Sequence, residues 1–135
     1  TDLSETLKFL QGRTKESDVL IDVHFNAANG KAKGTEVLIP ENYTETELEI
    51  ADRISDIMGN ILKTPERGVI GRADGVKTEA SSARKRLGWM RPQGINILIE
   101  VEFLDNPDAM ETYHRNKETL WKQVADYLVG IYKQN

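Results

Sequence analysis

Cysteine is absent from the 135 residues of this chain, and histidine occurs only twice. The first absence excludes disulfides and thiolate zinc sites, leaving His, Asp and Glu as the possible metal ligands. It does not fix the compartment, because a chain without thiols is indifferent to the redox state around it. No apolar run approaches the length of a membrane span. No signal-peptide pattern opens the chain, whose first residue is Thr1 rather than Met. A positive excess is lacking too, and the net charge of −4 gives no reason to expect a nucleic-acid partner. Internal repeats and low-complexity linkers are also missing. What is present, 39% hydrophobic and 30% charged residues, is the balance of one soluble globular domain long enough to bury a core.

Three apolar runs read as strands. The first, over 18–25, holds Val19-Leu-Ile-Asp-Val-His-Phe25 and is followed by Asn26; the second covers 32–39 and is stopped by Pro40; the third covers 95–103. The spacing of Leu3, Leu7 and Leu10 predicts a short helix over 3–16. The clearest helix is predicted over 44–63. Thr44 and Glu47 make a capping box, Tyr43 and Leu48 fit a hydrophobic staple, and Leu48, Ala51, Ile54, Met58 and Ile61 form the apolar stripe. Pro107 begins another helix, and 117–133 makes the last, with Leu120, Val124, Leu128 and Ile131 facing inward. Residues 64–94, rich in glycine and basic side chains, read as a long functional loop with a short helix around Ser81–Arg86. Strands separated by helices imply an α/β fold, a mainly parallel sheet flanked by helices on both faces, with its site at the carboxyl ends of the strands.

Period-two geometry puts Asp22, His24 and Asn26 on one face of the first strand. It puts Leu98, Glu100 and Glu102 together on the third, opposite Ile97, Ile99 and Val101. A carboxylate inside an Ile/Leu/Val run is costly to bury unless it is paired, hydrogen-bonded or beside a metal, which singles out Glu100. The same residue also reads as a solvated or salt-bridged carboxylate at a strand exit, and for Glu102 that reading is favoured. His24 alone is weak evidence, since a lone histidine on an apolar strand is more often a hydrogen-bonded core residue than a ligand. His114, in a polar stretch, reads as surface. No His-x-x-x-His spacing is present, and catalytic zinc needs three protein ligands with one open position. Arg67-Gly-Val-Ile-Gly-Arg72 is not a phosphate loop, because it lacks the GxxxxGK[ST] pattern. The basic cluster Arg84, Lys85, Arg86 and Arg91 suits either an anionic substrate or a solvated loop face.

Four segments in order nevertheless resemble one family. Asp22-Val-His24-Phe-Asn26-Ala27, Gly34-Thr-Glu-Val37, Arg67-Gly-Val69 and Ile99-Glu100-Val-Glu-Phe103-Leu-Asp-Asn106-Pro107 are similar to landmarks of the zinc-dependent N-acetylmuramoyl-L-alanine amidases of the amidase-3 type. These occur in bacterial autolysins and phage endolysins. The resemblance implies that His24 is a zinc ligand and Glu100 the catalytic carboxylate. The family's two other ligands lie upstream of the His-x-Asn segment, and no residue here matches them. The chain is therefore expected to be the C-terminal portion of one catalytic domain, 1–135, with the remaining ligands on an upstream segment or a companion chain. Two positions depart from the pattern: Asp22 stands where the family usually has Ser, and Glu102 where it usually has Gly.

The implied activity is hydrolysis of the amide between N-acetylmuramic acid and L-alanine in peptidoglycan. Zinc activates a water and Glu100 serves as general base. The implied place of action is the bacterial cell wall, as a secreted or periplasmic enzyme or a phage lysin. The competing reading is a non-catalytic cell-wall-binding or structural module with the same fold. A third, an unrelated α/β binding domain, requires all four segments to match by coincidence.

Overall fold

Apolar side chains on both faces of Ile95–Phe103 need cover on both sides, and the protein places this run inside its sheet. In a computed structural model, which describes residues 18–70, 73–79 and 94–133, the elements follow in the order β1 (Val19–Asn26), β2 (Glu36–Ile39), α1 (Glu45–Leu62), β3 (Val69–Ile70), β4 (Ala73–Asp74), β5 (Val76–Thr78), β6 (Ile95–Phe103) and α2 (Pro107–Lys133). Among these residues β1, β6, β2 and β5 form a four-stranded sheet in that spatial order. β1 and β6 run parallel, as do β2 and β5, while β2 and β6 are antiparallel. The expected parallel neighbours, 18–25 and 95–103, are thus paired along nearly their whole length.

One face of the sheet presents Val37, Ile39, Ile97, Ile99 and Val101. Against it pack Ile50, Ile54 and Met58 of α1 and Leu120 and Val124 of α2. Ile97 and Ile99 are fully buried, and each such side chain stabilises the fold by about 1.5–3 kcal/mol relative to exposure. Alternation sends Leu20, Leu38 and Leu98 to the other face, where they too are buried, while Asp22 and His24 on that same face stay partly exposed.

Both ends of α1 are written locally. The Thr44 hydroxyl accepts from the Glu47 amide at 3.1 Å, and Glu47 Oε1 accepts from the Thr44 amide at 3.0 Å, completing the capping box. The second oxygen of Glu47 accepts from the backbone amide of Asn96 at 2.9 Å, so the cap also ties the helix to the start of β6. At the far end Lys63 takes the left-handed conformation and Pro65 follows. Thr44→Ala should cost about 1 kcal/mol, read as a Tm lowered by a few degrees with the sheet intact. An unchanged Tm would mean that the bonds of Glu47 to Thr44 and Asn96 hold the helix start unaided.

The structure departs from the sequence reading in three places. The second strand begins at Glu36 rather than near 32, because side chains of β6 and of the turn after it, Glu102, Asp105 and Asn106, hold residues 28–34 in place of a ladder. The two helices expected after Asn106 are one helix, α2. The polar stretch around His114 marks its solvent side, not a break, and no Gly or Pro interrupts it between 108 and 129. In the first part of the loop expected over 64–94, the structure has the short strands β3, β4 and β5, and β5 extends the main sheet. Strands of two or three residues are too short to display alternation. The helix expected over 3–16 and the short one around 81–86 lie outside the described residues.

Candidate active site

The register of the sheet sets His24 beside Glu100 on β1 and β6, and Glu100 opposite Glu36 on β2. One row across three strands therefore reads His24, Glu100, Glu36, all on the face that also carries Leu98. The row sits near the carboxyl ends of the parallel pair β1 and β6, where open α/β sheets hold their ligands. The sequence reading placed His24 and Glu100 at such ends; the structure brings them to directly paired positions on one face. His24 is half-exposed, and Glu100 is intermediate between core and surface.

Each neighbour of this row is fixed by a specific contact. Asp22 Oδ2 lies 2.7 Å from His24 Nε2. Asn26 Nδ2 donates to Glu36 Oε1 at 2.6 Å, while Lys77 Nζ pairs with Glu36 Oε2 at 2.8 Å, so both oxygens of Glu36 are engaged. The backbone carbonyl of Glu100 accepts from the Thr35 hydroxyl at 3.1 Å.

The segment that leaves β1 is clamped from the other side of the site. Glu102, 2% exposed, accepts through Oε1 from the amides of Gly34 at 2.5 Å and Phe103 at 3.0 Å. Asp105 Oδ2 accepts from the amides of Ala28 and Gly30 at 3.0 and 3.1 Å. Asn106 donates from Nδ2 to the carbonyls of Lys31 and Ala32, and its Oδ1 caps α2 by accepting from Ala109. Arg67 lies 4.8 Å from the centre of the Phe103 ring, and its amide donates to the Thr35 carbonyl at 2.8 Å. The Gly-Thr-Glu, Arg-Gly-Val and Glu-x-x-Phe segments thus meet around one loop. Gly34 has φ +135° there, and a Cβ on it would come within 2.6 Å of the Arg67 side chain, which explains the glycine.

Glu102 is corrected by these contacts. Expected as a solvated or salt-bridged carboxylate at a strand exit, it is a buried acceptor of backbone amides. Glu36 and Asp105 are legible in the sequence as members of landmark segments, Gly34-Thr-Glu-Val37 and the Asp-Asn106-Pro107 end of the last one. His114 is exposed on α2, as expected. Arg84, Lys85, Arg86 and Arg91 lie outside the described residues. The imidazole and carboxylate donors of the row are of the kind that suits zinc. Among the described residues, however, no three His, Asp or Glu side chains are grouped as a metal-binding set.

A search of curated proteins finds no match to the chain. Solved structures do match. The catalytic domain of CD27L, an endolysin targeting Clostridia difficile, is 28% identical, with a TM-score of 0.67 over 94% of this chain and 61% of that one. A Neisseria meningitidis structure assigned to the N-acetylmuramoyl-L-alanine amidases is 23% identical, with a TM-score of 0.71 over 99% of this chain and 66% of that one. The CwlD amidase of Clostridioides difficile, solved in complex with the GerS lipoprotein, is 19% identical, with a TM-score of 0.59 over 97% of this chain and 60% of that one. The chain therefore spans less than two thirds of the length of each of these structures. The family model for N-acetylmuramoyl-L-alanine amidase matches residues 1–131, and the chain belongs to that family.

Proposed function

We propose that this chain is the C-terminal portion, in one domain, of a peptidoglycan hydrolase that cuts the amide between N-acetylmuramic acid and L-alanine. The observation that carries the reading is the pairing of His24 with Glu100 on one face, near the carboxyl ends of adjacent parallel strands. In this reading His24 is a ligand of a zinc ion, and the remaining donors come from an upstream segment or a companion chain. When bound, the ion supplies a Lewis acid for the amide carbonyl and for the attacking water. Glu100 accepts a proton from that water at its carboxylate and delivers it to the departing amide nitrogen. The C–N bond breaks, leaving a free carboxyl on the muramyl side and a free amine on L-alanine. Glu36, tied to Asn26 through one oxygen and to Lys77 through the other, keeps the neighbouring strand ends in place while this happens.

The substrate places the action at the bacterial cell wall, from a secreted, periplasmic or phage-encoded protein. Among the described residues no helix is long and apolar enough to cross a membrane. A second reading is a cell-wall-binding or structural module that keeps the amidase fold without the hydrolysis.

Purified peptidoglycan incubated with the full-length product separates the two. The amidase releases new L-alanine amino termini without new reducing sugar ends, and a chelator stops the release. A protein that sediments with the wall yet releases no amine is the binding module.

A further inference from the structure

Asp22 has no part in the reaction just described, yet its carboxylate is directed at the one histidine of the row. Asp22 and His24 are two apart on β1 and so share a face, with Asp22 Oδ2 2.7 Å from His24 Nε2. The Asp22 side chain is 25% exposed and that of His24 48%, so the pair sits at the rim of the face rather than in the core. An ionised carboxylate accepts hydrogen bonds and cannot donate them. The pair therefore requires the proton on Nε2, which in the neutral ring leaves the lone pair on Nδ1. A serine at this position, as the resemblance led one to expect, could both donate and accept and would select neither tautomer.

We propose that Asp22 is a positioning residue for His24: it holds the imidazole through Nε2–H and presents Nδ1 to the metal. The inference rests on the reading of His24 as a ligand. A carboxylate that accepts from the free N–H of a ligating imidazole fixes both the tautomer and the angle of the ring.

The test uses the full-length product loaded with zinc. Long-range ¹H–¹⁵N correlation of the histidine rings should show His24 protonated at Nε2, with the Nδ1 resonance moved by the metal. Zinc affinity from competition with a chromophoric chelator should fall about 10–100-fold in Asp22→Ala. Asp22→Asn, whose Oδ1 can still accept from Nε2–H, should recover most of that loss, which a purely structural contribution of the negative charge would not allow. A metal-bearing Nε2 in the spectrum overturns the proposal, even if Asp22→Ala fails to fold. His24→Ala separates the proposal from the reading beneath it. If His24→Ala leaves zinc affinity unchanged, His24 is not a ligand and both fall. If His24→Ala loses zinc while Asp22→Ala holds it as tightly as wild type, the ligand stands and the positioning role alone is overturned.

Discussion

Replacing Glu100 with alanine in the full-length product should lower amidase turnover by about 10²–10⁴-fold while leaving zinc content near that of the wild type. The two halves of this expectation have different physical sources. Loss of turnover follows from removing the only carboxylate of the row that the proposed mechanism uses for proton transfer; Glu36 is held between Asn26 and Lys77. Retained zinc follows from the assignment of Glu100 as a base rather than a ligand. The contact the Glu100 backbone makes with the Thr35 hydroxyl survives any side-chain change, so the local strand pairing persists. Glu100→Gln keeps the size and polarity of the side chain and removes only its basicity, so it should lose turnover as severely as Glu100→Ala, with KM little changed. A variant that keeps wild-type turnover refutes the role. A variant that loses zinc along with turnover makes Glu100 a ligand instead.

The parts of this arrangement that could be read from the sequence are those written in local or periodic patterns. The apolar runs at 19–26 and 95–103 announce buried strands, and their alternation alone puts His24 on the face of Asp22 and Glu100 opposite Ile99. The Thr44–Glu47 box announces the start of α1. What could not be read are contacts between residues far apart in the chain. Nothing around Glu47 signals that its second oxygen reaches the amide of Asn96, and nothing around Glu36 signals Lys77 as its partner. β5 escaped notice because three residues cannot display a period, and because its place beside β2 is set by the parallel register of Val37 with Val76. α2 runs unbroken through the polar stretch around His114, because on a helix with one solvent face such a stretch is the normal outer side. Glu102 is a different case. A carboxylate near a strand end is usually solvated, and only the path of residues 27–34 over it shows that it is buried.

Glu102 also gives the largest stability effect expected here. Its Oε1 is shared by two backbone amides in a buried setting, Gly34 at 2.5 Å and Phe103 at 3.0 Å. Glu102→Ala removes the acceptor and leaves both N–H groups without it, at a cost of about 1–3 kcal/mol for each buried donor left unsatisfied. A loss of roughly 3 kcal/mol is the expected total, or a fall in Tm on the order of 10 °C for a domain of this size. Glu102→Gln keeps an oxygen where Oε1 lies and should retain most of the stability. The telling variant is Glu102→Gly, which installs the residue that the sequence resemblance leads one to expect at this position. Judged by that resemblance it should be harmless; judged by the hydrogen bonds it should be at least as damaging as alanine, because glycine adds backbone entropy to the same two orphaned amides. Since Gly34 leads directly into Thr35 and Glu36, the loosened loop should also release Asn26 from its partner and lower turnover, with the defect eased at low temperature where the fold is retained. Thermal melts of the three variants decide the matter. If glycine melts with the wild type and alanine does too, the carboxylate is a passenger and the clamp on residues 27–34 is carried by Asp105 and Asn106.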